Sequence, residues 1–415
     1  MEKLLIQGGR QLRGEVTLSG CKNAALPVLY ATVLTADVSV IRNLPEIRDV
    51  LLTLEILRAM GAVVLPIEPH TVMIDTRAVT PCRAPDALVS SLRASSYLMG
   101  AELSRFHRTR AAVPGGCRIG ARPLDLHFLA FSSLGADVSV KDAVITAKAS
   151  TLTGTEIAFP TPSVGATVNA ILCAALADGE TVICGAAREP HVADLCHYLT
   201  ACGAKIEGVG SNTLRVHGKA RLHGADYRLM PDTIECGTFL AAVGAAGGEV
   251  LLREADVTHL SAVLEALRGM GVTVCEEGSS LYAYRRGPLS PCSLIAAPYP
   301  AFPTDMHPQI MALATGADGV STLRDTVFPT RSAYTEELRR MGADVTADGG
   351  LVTVRPSHLS GARVIAVDLR AGAALVIAAL AATGDTVIRG AEMLERGYEA
   401  LPEKLCALGA SAKVM

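Results

Sequence analysis

LRAMGAVV (57–64) reads as the end of a helix, a glycine and the start of a strand. Leucine, alanine and methionine close a helical run. Gly61 suits the left-handed residue that caps a helix, and Val63 and Val64 open a strand. One such phrase decides nothing. It returns, however, as FSSLGADV (131–138), LTACGAKI (199–206), LRGMGVTV (267–274), LRRMGADV (338–345) and LCALGASA (405–412). The glycines at 61, 135, 203, 271, 342 and 409 are separated by 74, 68, 68, 71 and 67 residues. Near-constant spacing of one supersecondary phrase predicts six copies of a single unit.

Working outward, an Ala-rich helix begins about 40 residues ahead of each glycine. The starts lie near Lys22 (KNAALPVLYATVL), near Arg93 (RASSYLMGAEL), at Ser163 (SVGATVNAILCAALA), at Asp232 (DTIECGTFLAAVGAA), near Asp305 (TDMHPQIMALATG) and near Asp368 (DLRAGAALVIAALAA). A strand such as ETVICG or DTVIRG follows, then a turn, then the amphipathic helix that ends at the glycine. The first helix is apolar nearly all round and is expected to be enclosed; the second is half polar and is expected to face solvent. Six α/β units of this kind predict two domains of three units each.

Composition sets the outer limits. A chain of 415 residues is too long for one ordinary core. Half its residues are hydrophobic but only 4% are aromatic, so the core is built from Ala, Val, Leu and Ile. A formal net charge of -3 gives no basic surface for nucleic acid. The mean hydropathy of +0.34 raises the question of a membrane. The longest apolar stretches, such as 371–383, fall short of the ~20 residues a span needs. No secretory signal opens the sequence, and the 11 cysteines include no CxxC pair. These features point to a cytoplasmic protein with free thiols and no metal site.

The starts of the apolar helices carry the candidate functional residues: Lys22, Arg93, Ser163, Asp305 and Arg370. Helix N-termini present unpaired N–H groups and partial positive charge, which suits phosphate. Ser163 and Asp232 serve equally well as plain N-caps. Lys22 and Arg93 do not, because a cation at a helix N-terminus needs an anion to offset its cost. A substrate phosphate or carboxylate would provide one.

Segments in every repeat resemble the UDP-N-acetylglucosamine 1-carboxyvinyltransferase family. They are SGCKNAALPVL (19–29), LRASSYLMG (92–100), PGGCRIGARPLDLH (114–127), PSVGAT (162–167), AAREPHVADL (186–195), FPTDM (302–306), VFPTR (327–331), DLRAGAAL (368–375) and ERGYE (395–399). The resemblance runs the whole length of the chain, and PGGCRIGARPLDLH is its most specific part. It implies the enolpyruvyl transferase fold, a two-domain inside-out α/β barrel of six βαβαββ-like units. The domains would be 22–229 and 1–21 with 230–415, with the active site in the cleft between them.

The resemblance also assigns roles. Lys22, Arg93, Arg122 and Arg396 are implied at phosphoenolpyruvate, whose carboxylate and phosphate suit forked arginine contacts. Asn23 is implied at the boundary of both substrates. Cys117, in a glycine-rich loop, is the implied general acid on the donor methylene and the implied point of attack for fosfomycin. A thiol of pKa ~8.5 holds its proton at neutral pH and can donate it. Asp305 is the implied general base for the sugar 3-hydroxyl, with Pro303 and Met306 expected to restrict solvent and raise its basicity. Arg122, Pro123, Leu124, Asp125 and Leu126 match the uridine-binding loop. Ser163, Val164 and Gly165 match the diphosphate contact, and Val327 a backbone contact to the sugar. Asp368 and Arg370 match a pair near the reaction centre. Arg188 and Arg331 are expected to open their own second helices, as cleft-lining or structural groups.

The implied reaction is addition of the sugar hydroxyl to phosphoenolpyruvate followed by loss of phosphate. It needs no metal or organic cofactor. Its partners are small molecules, with no nucleic acid and no membrane, and the protein is expected to be a monomer or weak homo-oligomer. Three alternatives share parts of this architecture. The 3-phosphoshikimate 1-carboxyvinyltransferases share fold and donor but lack the PGGCxIGARPxDLH loop. RNA 3'-phosphate cyclases need a nucleotide-accepting His and a basic face. A non-enzymatic six-repeat clamp would need a positive inner surface. Thr233 and Cys236 in PDTIECG, Cys21 beside Lys22, and the MLE ahead of RGYE depart from the commoner family pattern without removing a proposed catalytic group.

Overall fold

The computed structural model describes residues 2–115 and 122–415. Cys117, the expected general acid, lies outside the described residues. The chain forms two compact units: residues 20–230 make one, and the start of the chain to residue 19 joins 231–415 in the other.

The six repeated phrases fold alike. Each glycine has positive φ, between 84° at Gly409 and 104° at Gly61. In each, the glycine N–H reaches back to the carbonyl three residues earlier, as from Gly61 to Arg58. The following N–H reaches back five residues, as from Ala62 to Leu57, Ala136 to Phe131, Val272 to Leu267 and Ala410 to Leu405. This is the Schellman closure, which satisfies carbonyls a helix end would leave unpaired. Its two apolar partners are buried in all six copies: Leu57, Phe131, Leu199, Leu267, Leu338 and Leu405 on one side, and Ala62, Ala136, Ala204, Val272, Ala343 and Ala410 on the other. The pattern of an apolar residue, three others, glycine and a second apolar residue is therefore the chemistry of one cap used six times.

The sheets show the same plan. In the third repeat, strand Glu156–Ala158 pairs parallel with Glu180–Cys184, which pairs antiparallel with Thr213–His217, which pairs antiparallel with Lys205–Glu207. With helices Val164–Ala174 and Pro190–Ala201 between them, the chain order is βαβαββ. The fifth repeat repeats this order within residues 293–355. Three copies are completed from a distance. Asp226–Arg228, at the end of its unit, pairs parallel with Val38–Arg42 of the first repeat. Leu12–Thr17 pairs parallel with Gly248–Arg253 of the fourth. Lys3–Gln7 lies between Asp385–Arg389 and Ser411–Val414 in the sixth.

The second repeat departs from the plan. Its sheet has three strands among the described residues, Arg108–Ala112, Val144–Lys148 and Asp137–Lys141. Where the parallel strand would precede the buried helix, the chain makes the short helix Asp86–Ser91. Buried Glu102 anchors the segment just ahead, accepting from the Cys82 N–H at 2.7 Å and from the Thr109 hydroxyl at 2.7 Å.

The first helices are enclosed, as their sequence requires. Residues 307–314 are buried throughout helix His307–Ala314, and 369–380 throughout Leu369–Ala381. In the unit of residues 231–415, these two pack on each other and on Thr233–Ala246. The second helices bury one face only; Arg48–Ala59 turns Val50, Leu54, Ile56 and Leu57 inward. Two of the helices are entered through a tighter turn. Arg93 and Asp305 lie in short 3-10 turns, Arg93–Ser95 and Thr304–Met306, and the α-helices begin at Ser96 and His307. Arg188 and Arg331 precede their second helices, Pro190–Ala201 and Tyr334–Arg340, instead of opening them. Among the described residues no helix is long and apolar enough to cross a membrane.

Candidate active site

In the unit of residues 20–230, Lys22 opens helix Lys22–Ala31 with Asn23 beside it in the first turn. The anion the sequence demanded for Lys22 is present in the protein: Nζ lies 2.8 Å from Asp49 Oδ2. Asp49 is 2% exposed and sits in the first turn of the next helix. Nothing in the local sequence marked it.

A second group gathers around helix Val164–Ala174. The Ser163 hydroxyl accepts from Ala166 N, so Ser163 is a true N-cap, with Val164 and Gly165 following. Asn169 on this helix accepts from Gly100 N at 2.9 Å, and its Nδ2 lies 2.7 Å from His127 Nδ1. His127 belongs to helix Asp125–Ser133, whose N-cap is Leu124. A Cβ at Gly165 would come within 2.8 Å of the His127 ring, so glycine is what lets this ring lie against the helix start. Arg93 donates to the carbonyls of Arg122 and Pro123. The structure thus joins Arg93, the segment Arg122–Leu126 and Ser163–Gly165. Burial, then the neighbouring Arg122, lower the Arg93 pKa. Two adjacent guanidinium groups favour an anion there. Burial, then Arg93, lower the His127 pKa to about 3, so this imidazole is neutral.

The other unit builds a denser cluster. Asp305 pairs with Arg331 Nη1 at 2.9 Å and Arg370 Nη2 at 3.0 Å. Both arginines are 5% exposed. Asp368 caps Leu369–Ala381, accepting from the N–H groups of Arg370 and Ala371. Arg370 also donates to the Tyr398 hydroxyl at 3.2 Å, which in turn lies 2.9 Å from Thr238 Oγ1. Gln309 donates to the Asp305 carbonyl at 2.8 Å. Arg396 ends the 3-10 turn Ala391–Arg396, two residues before Tyr398. Behind Asp305, buried Asp325 accepts from the N–H groups of Val327 and Phe328, the Thr304 hydroxyl and His307.

Asp305 is not the strengthened base expected from its apolar neighbours. Burial pushes its pKa up, but Arg370 and Arg331 outweigh it and hold the carboxyl well below the usual range. It is ionised and weakly basic. Asp49, Asn169, His127, Tyr398 and Asp325 were not singled out in the sequence. His127 stands in the PGGCRIGARPLDLH motif and Tyr398 in ERGYE, which was signal enough; the others are single polar residues with distant partners.

Two units of three βαβαββ-like repeats, one of them holding a half-buried carboxylate between two arginines, define an enolpyruvyl transferase fold. Residues 6–405 match the family described as EPSP synthase (3-phosphoshikimate 1-carboxyvinyltransferase). The enolpyruvyl transferase NikO from Streptomyces tendae superposes with a TM-score of 0.90 at 28% identity, covering 99% of this chain and 98% of that one. An EPSP synthase from Acinetobacter baumannii shares the fold at a TM-score of 0.76 and 18% identity, over 100% of both chains. UDP-N-acetylglucosamine 1-carboxyvinyltransferases are closer in sequence. That of Dichelobacter nodosus is 46% identical over 99% of this chain and 98% of its own. That of Halothermothrix orenii is 43% identical over 100% and 99%. The chain belongs to the UDP-N-acetylglucosamine 1-carboxyvinyltransferase family.

Proposed function

We propose that the protein transfers the enolpyruvyl group of phosphoenolpyruvate to the 3-hydroxyl of UDP-N-acetylglucosamine, releasing phosphate, as the first committed step of peptidoglycan synthesis. Full-length identity of 42–46% to enzymes of that name carries the reading. Lys22, Arg93, Arg122 and Arg396 hold the donor's carboxylate and phosphate. Asn23 borders both substrates, Arg122–Leu126 hold the uridine, Ser163–Gly165 the diphosphate, and the Val327 backbone the sugar.

The sugar hydroxyl gives its proton to Asp305 as its oxygen bonds to C2 of the donor. Cys117 gives its proton to the donor methylene, which becomes a methyl. The ketal phosphate then loses phosphate from C2, which carries away the proton held by Asp305, while the Cys117 thiolate takes a proton back from the methyl, restoring the double bond and both side chains. For Asp305 to accept a proton, Arg331 or Arg370 must turn toward the incoming anions; otherwise the two cations keep it too weak a base. The protein works in the cytoplasm as a monomer or weak homo-oligomer, which sedimentation would check.

The test is phosphate release from phosphoenolpyruvate with UDP-N-acetylglucosamine, run beside shikimate 3-phosphate and a Cys117→Ala variant. Release only with the UDP-sugar, lost or slowed in the variant and blocked by fosfomycin, is expected. Release only with shikimate 3-phosphate would overturn the specificity.

A further inference from the structure

Asp325 plays no part in the reaction above, yet it is 1% exposed and fully occupied by hydrogen bonds. Its Oδ1 accepts from Val327 N at 2.9 Å and Phe328 N at 2.8 Å. Its Oδ2 accepts from Thr304 Oγ1 at 2.6 Å and lies 3.2 Å from His307 Nδ1. Two of these partners belong to the loop after strand Ser321–Asp325. The other two flank Asp305 in sequence. The far side of His307 is held as well, with Nε2 3.0 Å from the buried Tyr334 hydroxyl. Arg331, further along the loop, closes the circuit by donating to the Thr304 carbonyl at 2.6 Å.

We infer that Asp325 is a positioning residue for the transfer reaction: its two oxygens lock the turn that carries Asp305 to the loop that carries Val327 and Arg331. The proton acceptor and the backbone that meets the sugar then move as one body. A capping carboxylate would need only the two loop N–H groups. The second oxygen, spent on Thr304 and His307, makes a link between segments about 20 residues apart. Such a link matters to rate because a reacting group displaced by about 1 Å loses much of its effect. The inference rests on the function proposed above.

Asp325→Asn keeps one acceptor for the loop and turns an NH2 toward the Thr304 hydroxyl and His307. It is expected to lower kcat by about tenfold and to raise the KM for UDP-N-acetylglucosamine several-fold, leaving the KM for phosphoenolpyruvate nearly unchanged. Thr304→Val cuts the Thr304 half of the turn arm, along with the 3.1 Å contact that Arg331 Nη1 makes to the same hydroxyl, and leaves both loop N–H bonds. It is expected to lower kcat roughly threefold or more with the sugar KM unchanged, and Thr304→Ser is expected to restore it. That split and rescue would not come from general loosening. If Asp325→Asn does not fold, the Thr304 pair decides alone. Folded variants with wild-type kcat and KM, or equal losses in Thr304→Val and Thr304→Ser, overturn the inference while the function stands. A wild-type protein that releases no phosphate overturns both.

Discussion

Asp305 sits between two buried guanidinium groups, and its electrostatics can be tested one cation at a time. Arg331→Met removes one partner and leaves Arg370. Asp305 then titrates higher, so the acid limb of the kcat–pH profile moves to higher pH. The lost positioning is expected to reduce kcat/KM by roughly tenfold, about 1.4 kcal/mol. An acid limb that stays in place would mean another group titrates there. His127 gives a stability test. Its folded pKa of about 3 lies below the ordinary 6.5, so the unfolded chain takes up the proton first. Stability from neutral His127 is complete above about pH 6.5 and is lost as pH falls toward 3. His127→Gln is expected to lose less Tm between pH 7 and pH 5 than wild type, as read by calorimetry.

The six helix caps were legible in the sequence because a Schellman closure needs a glycine at one place and apolar residues at two others. Their energetic cost can be separated from their surroundings. Gly61 and Gly409 both have left-handed φ, but an added Cβ at Gly61 would lie 2.9 Å from the Ala78 carbonyl oxygen, against 3.9 Å from the Gln11 oxygen at Gly409. Gly409→Ala is expected to cost about 1–2 kcal/mol, the left-handed penalty alone, and Gly61→Ala more. Equal midpoints in urea would contradict this. Other features were not legible, for physical reasons. The Lys22–Asp49 and Thr304–Asp325 links join single residues from different elements, and one residue leaves no periodicity. In the second repeat the short helix Asp86–Ser91 stands where the parallel strand would be, and Glu102, which anchors the segment ahead of it, reads locally as a polar interruption in an apolar helix. The 3-10 entries at Arg93 and Asp305 shift a helix start by two or three residues without changing the apolar pattern behind it.

The chain is two sets of three repeats, one completed by a single strand from its own far end and the other by two strands from the start of the chain. For the unit of residues 231–415, the borrowed pieces are Lys3–Gln7 and Leu12–Thr17, which bury Leu4, Ile6 and Leu12 completely. Deleting residues 1–18 is expected to leave the 20–230 unit folded and the other open, with the product protected from protease only over the first unit. The order of synthesis adds a delay. Leu12–Thr17 leaves the ribosome more than 200 residues before its partner Gly248–Arg253, a wait of roughly 10–50 s at usual translation speeds. Lys3–Gln7 waits longer still, for Asp385–Arg389. Met415 donates to the Lys3 carbonyl at 3.0 Å, so the two ends of the chain are already neighbours. A permuted gene that begins at Gly20 and carries residues 1–19 after Met415 would let both strands emerge beside waiting partners, and its nascent chains should call on chaperones less than those of the natural order.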